Sequence, residues 1–220
     1  MAVSEASNVA MAFRDLTDAH EALSSGSMSP VDVRRNFVTF VDLTQKLTSY
    51  MRKEYSEKKG QTWVASDFEG WNDVTELFKA IRTDDQHERP ISILVNETQF
   101  LRISEDLPDE LAVSGTWSFS FDDQHLDTPR DDIIFELGDP QTGQPSGQRV
   151  TPTRVEYEFH LLPSSKKAEA LLAKIGDRNV RTLSEKCFEV LSDYYQYYES
   201  QVQEESPKHH PERPGPPAKG

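Results

Sequence analysis

Arg82-Thr83-Asp84-Asp85-Gln86-His87 places an arginine and a histidine with four residues between them, where an amphipathic helical stretch is about to stop. Upstream runs Asp73-Val74-Thr75-Glu76-Leu77-Phe78-Lys79-Ala80-Ile81. Downstream, Glu88-Arg89-Pro90 blocks further regular helix, because proline lacks a backbone N–H and its ring clashes with the preceding turn. The two residue types are complementary. A neutral imidazole near its ordinary pKa of about 6.5 takes a proton from a hydroxyl at neutral pH. A guanidinium stabilises the negative charge that develops on a phosphate and grips its oxygens in a fork. Together they suffice, without a metal, for attack of a ribose 2′-OH on the adjacent phosphodiester. Thr83 and Asp85 are the supporting polar groups. Asp85 is placed to orient His87 or to raise its pKa by pairing with it.

Two other Arg/His pairs have similar spacing, Arg14…His20 and Arg154…His160. The first falls in mid-helix, where six residues turn the chain by about 600° and put the two side chains on different faces. The second falls on one strand, with the residues roughly 20 Å apart at 3.3 Å per residue. Only Arg82…His87 spans a helix end, where the chain can fold back on itself. Other chemistry is weakly represented. The single cysteine, Cys187, lies on an apolar helical face and reads as a core residue. His209-His210 lacks a third metal ligand. Asp122, Asp123, Asp127, Asp131 and Asp132 lack the glycine and glutamate of a calcium loop, which leaves a solvated acidic loop. No Gly-rich phosphate loop, Ser-His-Asp set or zinc spacing is present, so neither a cofactor nor a metal is expected. Tyr194, Tyr195, Tyr197 and Tyr198 offer aromatic surface near the end of the last helix, suited to a homodimer seam.

The elements that must carry these residues read as follows. Val9, Met11, Phe13, Leu16, Ala19 and Leu23 give a first helix over 5–23. Ser29 as cap, Pro30 at the first position and Asp32 in the first turn open a second, which Gly60 closes near Lys59. Ser66-Asp67-Phe68-Glu69 has the form of a capping box and starts a third helix, with Trp71, Val74, Leu77, Phe78 and Ile81 as its apolar face. After Pro90 the period changes from 3.6 to 2. Strands are expected over 91–95, 112–121 and 154–161, with a mobile Pro/Gly/Gln-rich loop over 138–147. Helix returns over 166–175, ending at Gly176, and again over about 179–204. Val180, Leu183, Cys187, Val190, Leu191, Tyr194 and Tyr198 form the apolar face of that last helix.

The fold class is therefore α+β: a four-helix-type bundle with an acidic β-rich insertion between the third and closing helices. Residues 1–90 and 176–205 make the bundle, 91–163 the insertion and 164–175 a short connecting helix. The Pro-rich tail over 206–220 is expected to be disordered. The net charge is −14 over 220 residues. Lys and Arg stand against Asp and Glu as 11 to 15 in 1–90, 4 to 14 in 91–163 and 9 to 9 in 164–220. The middle segment thus repels phosphate, and RNA contact is expected through the helical part. No apolar run approaches a membrane span, and the N-terminus lacks the pattern of a signal peptide, which together with one cysteine sets a cytoplasmic expectation.

Residues 66–91, with the helix order around them, resemble the HEPN superfamily of all-helical RNases and their inactive relatives. The family pattern is an Arg, four to six residues and a His at the end of the third helix, which Arg82 and His87 match at the shortest spacing. The run Gln86-His87-Glu88-Arg89-Pro90-Ile91 resembles members that follow the His with a polar pair and a proline. Family members often carry Asn, Asp or His directly after the Arg. Here Thr83 keeps a polar group but not the amide or carboxylate. The resemblance implies a metal-independent endoribonuclease leaving a 2′,3′-cyclic phosphate, with His87 as base and Arg82 on the scissile phosphate. It implies a homodimer with two such pairs across a cleft, and a toxin–antitoxin or defence setting. No named resemblance covers 91–178. The competing expectation is a non-catalytic dimeric module whose acidic insertion docks a basic protein partner.

Overall fold

A computed structural model describes residues 7–25, 28–63, 68–86, 90–102, 114–122, 135–138, 142, 144–150 and 152–203. Among them are five helices and five strands, an α+β fold: α1 (Asn8–Ser24), α2 (Pro30–Lys59), α3 (Asp73–Gln86), β1 (Ser92–Arg102), β2 (Ser114–Asp122), β3 (Phe135–Gly138), β4 (Pro145–Val150), β5 (Pro152–Leu162), α4 (Lys166–Ile175) and α5 (Val180–Gln203).

Helix ends follow local chemistry. Ser7 caps α1 by accepting from the Ala10 N–H at 3.2 Å, so the helix begins at Asn8 rather than at Glu5. In α2, Ser29 accepts from the Asp32 N–H, and Gly60 closes the helix at φ +66°, a left-handed position that glycine adopts without a Cβ clash. Helix α4 repeats the device with Ser165 and Gly176. The start of α3 differs from the expectation. Its cap is Asn72, whose Oδ1 accepts from the N–H groups of Val74 and Thr75 at 2.9 and 3.4 Å, while the Thr75 hydroxyl oxygen accepts from the Asn72 N–H at 3.0 Å. Ser66 and Asp67 lie outside the described residues. Glu69 and Gly70 form a turn that the Trp71 N–H closes on the Phe68 carbonyl. Trp71 thus precedes the helix and is tied to it by its indole N–H donating to Glu76 at 2.9 Å.

α1, α2, α3 and α5 pack on one another, and α4 lies against α3. Their shared core holds Leu16, Phe37, Phe40, Leu47, Leu77, Phe78, Ile81, Leu183, Cys187 and Leu191. Phe78 meets Phe37 and Phe40 edge-on, with ring centres 5.8 and 5.6 Å away. On α1 the inward positions are Val9, Ala12, Leu16 and Leu23. Met11 points outward, because the helix turn through Ala12 carries it off the apolar stripe.

The strands form a three-stranded antiparallel sheet, ordered β2-β1-β5, and a separate β3-β4 antiparallel pair. Ile91, Ile93 and Val95 with Phe159 and Leu161 are buried in the same core as the helices, so the base of the sheet is continuous with the helical layer. The Leu161 N–H donates to the Arg178 carbonyl at 2.8 Å, fastening β5 to the approach of α5. Strand β4 occupies part of the stretch read as a loop over 138–147. Proline, glycine and glutamine there lack strand alternation, and the ladder to Phe135–Gly138 supplies what side-chain patterning does not. The tail over 206–220 lies outside the described residues.

Candidate functional site

Arg82 occupies the last turn of α3, on the side that meets α2. Its Nε forms an ion pair with Asp42 Oδ1 of α2 at 2.5 Å, and its Nη1 lies 3.7 Å from Asp85 Oδ2, one helical turn on. The guanidinium side chain is 24% exposed, against 51% for Asp42 and 30% for Asp85. It is thus a half-sheltered cation between two carboxylates. Asp42 was not among the expected site residues. It sits on the polar face of α2 between Val41 and Leu43, and only the packing of α2 on α3 brings it to Arg82.

The neighbouring residues are committed elsewhere. The Thr83 hydroxyl donates to the Lys79 carbonyl at 2.8 Å, a back-bond within the helix. Asp84 accepts from the Ser164 hydroxyl at 2.7 Å, which ties the end of α3 to the residue before the cap of α4. Asp85 faces Arg82 rather than standing apart from it. The helix continues to Gln86. His87 lies outside the described residues, so the structure places Arg82, Thr83 and Asp85 but not the imidazole. The described helix reaches Gln86, and Pro90 is non-helical.

The two other Arg/His pairs are occupied in ways that do not converge. His20 stacks on Phe188 with ring centres 4.3 Å apart and planes within 5°. Arg14 lines a shallow groove of about 330 Å³ with Asn8, Met11, Ala12, Asp15, Lys46 and Tyr50. Arg154 lies 4.1 Å above the Phe100 ring and pairs with Glu156, while His160 faces Glu158 at 3.5 Å.

The tyrosines of α5 turn largely inward. Tyr194 and Tyr198 are buried and pack on Trp63 with ring centres 4.8 and 5.5 Å away. Phe68 and Trp71 complete the shell around Tyr194. Tyr195 stacks on Phe13 at 4.1 Å and donates to Glu199 at 2.7 Å. Burial, with that acceptor and the nearby Glu54 charge, pushes the Tyr195 phenol up to about 12. Tyr197 is the most open of the four, at 37% exposed. Cys187 is fully buried, and desolvation pushes its thiol far above the usual range, as befits a core residue. Among the described residues no group of three or more His, Cys, Asp or Glu side chains is disposed to hold a metal. None of their helices is long and apolar enough to cross a membrane. Comparison with protein-family models, curated proteins and solved structures finds no significant match.

Proposed function

We propose that this chain is a metal-independent endoribonuclease of HEPN type, built as a helical bundle with a β-rich acidic insertion over 91–163. The supporting observation is the position of Arg82: a partly sheltered arginine near the described end of a packed helix, with His87 following Gln86 in the sequence. In this reading Arg82 binds the scissile phosphate and His87 accepts the 2′-OH proton. The 2′-oxygen forms a bond to phosphorus, the bond to the 5′-oxygen breaks, and that oxygen takes up a proton. The products are a 2′,3′-cyclic phosphate and a 5′-hydroxyl end. Arg82→Ala and His87→Ala should each lower EDTA-resistant cleavage of total RNA by roughly 10²-fold or more, the usual scale for a positioned base or charge stabiliser. Equal activity in the wild type and both variants sinks the proposal.

The active form is a homodimer, as the HEPN resemblance implies. Light scattering at micromolar concentration should give twice the 25.1 kDa chain mass. A steady value near one chain rules out a site shared by two copies.

A second reading has its own support. Arg82 is already neutralised by carboxylates, and residues 91–163 carry 4 basic against 14 acidic side chains. Both features suit a non-catalytic module whose insertion docks a basic protein. That reading takes over if RNA is untouched between about pH 6 and 8, where a histidine base changes charge.

A further inference from the structure

We infer that Asp42 is a further member of the Arg82 site, one that competes with an incoming phosphodiester for the guanidinium and so sets the affinity for single-stranded nucleic acid. This rests on the proposed role of Arg82 as the phosphate-binding residue.

The geometry is specific. Asp42 reaches Arg82 from another helix, and its Oδ1 pairs with Nε at 2.5 Å. Asp85 sits on the Nη1 side at 3.7 Å, beyond hydrogen-bond length. A phosphate uses the same donors as a carboxylate, because both accept from the planar fork of a guanidinium. A phosphodiester approaching Arg82 therefore meets an Nε already occupied and two negative charges within 4 Å of its target. To bind bidentately through the edge that includes Nε, it must displace Asp42. Displacement is feasible. Asp42 is half exposed, so water takes over its solvation on release, and exposed ion pairs are weak. The other two nearby polar groups do not join the competition. Asp84 is engaged with Ser164, and the Thr83 hydroxyl with the Lys79 carbonyl.

The ordering of effects follows from distance. Removing the Asp42 charge should strengthen phosphate binding more than removing the Asp85 charge, because only Asp42 is within hydrogen-bond length of Arg82. Both effects should require Arg82.

The test is fluorescence anisotropy with the full-length chain and a labelled mixed-sequence oligonucleotide carrying 2′-O-methyl groups throughout, which binds but offers no 2′-OH. Asp42→Asn should bind about fivefold tighter than wild type, the upper scale of an exposed ion pair. Asp85→Asn should bind less than twofold tighter. In an Arg82→Ala background, Asp42→Asn should give no gain. The inference is overturned if Asp42→Asn binds no tighter than wild type, if the gain survives without Arg82, or if no variant binds at all. Should Asp42→Asn melt below wild type, Asp42→Ser repeats the comparison with a smaller neutral side chain. Cleavage of the matching unmodified RNA is scored separately. The predicted ranking with no cleavage sinks the nuclease reading and keeps Asp42. Cleavage without the ranking does the reverse.

Discussion

Two parts of the helical layer carry distinctive side chains, the last turn of α3 and the later turns of α5, and they have opposite fates. At the end of α3, Arg82 keeps 24% of its side chain exposed beside the more open Asp42 and Asp85. Along α5, the tyrosines that suggested a seam between two copies are mostly taken up within the chain. Trp63, Phe68 and Trp71, all from the connector between α2 and α3, pack on Tyr194. An aromatic at helical spacing is available to a partner only if no connector has covered it first. Charged residues at a helix end escape that fate, because burying them costs more than leaving them in water. Tyr197 is exposed and Tyr195 partly so.

The contrast breaks most sharply on stability. Trp63→Ala removes a ring that is 3% exposed and touches Tyr55, Tyr194 and Tyr198. It should destabilise the fold by about 3–5 kcal/mol, the range for emptying an aromatic core site. Arg82→Ala should cost no more than about 1 kcal/mol, since it breaks only a partly exposed ion pair. Urea unfolding of both variants beside wild type measures the two values. A Trp63→Ala loss as small as that of Arg82→Ala would mean that the connector does not clamp α5.

The same distinction explains what could be read from the sequence. Ser29-Pro30 and Gly60 delimit α2, and Ser165 and Gly176 delimit α4, because each cap is settled within a few residues of chain. The apolar face of α5 was likewise legible, from Val180 through Tyr198. The start of α3 was not. Ser66-x-x-Glu69 and Asn72-x-x-Thr75 both look like cap patterns, and the hydrogen bond from Trp71 to Glu76 lies beside the second. Strands β3 and β4 have little alternation and depend on each other's backbone groups. Of the candidate site, Arg82, Thr83 and Asp85 could be named from spacing alone. Asp42 could not, since it lies forty residues away on another helix and helical periodicity contains no register between helices.

Alkaline pH gives a finer version of the comparison. Burial raises the Tyr195 phenol from 10 to about 12, helped by its hydrogen bond to Glu199 and the charge of Glu54. Because the folded pKa lies above the unfolded one, the un-ionised phenol favours the fold. That contribution is fully present below about pH 10 and is lost as pH rises toward about 12. Tyr198 shifts in the same direction, by burial first and then by Glu54. Tyr195→Phe keeps the ring that stacks on Phe13 and removes one ionisable group, so its alkaline unfolding midpoint should move upward relative to its own neutral-pH stability. Arg82→Ala should leave that midpoint unmoved on the same scale, because it removes no buried phenol. Circular dichroism against pH follows unfolding, and tyrosinate absorbance in the same samples reports the ionisation. If Tyr195→Phe unfolds at the wild-type pH, or if tyrosinate appears in full near pH 10 with the fold intact, the tyrosines of α5 are as open to water as the end of α3.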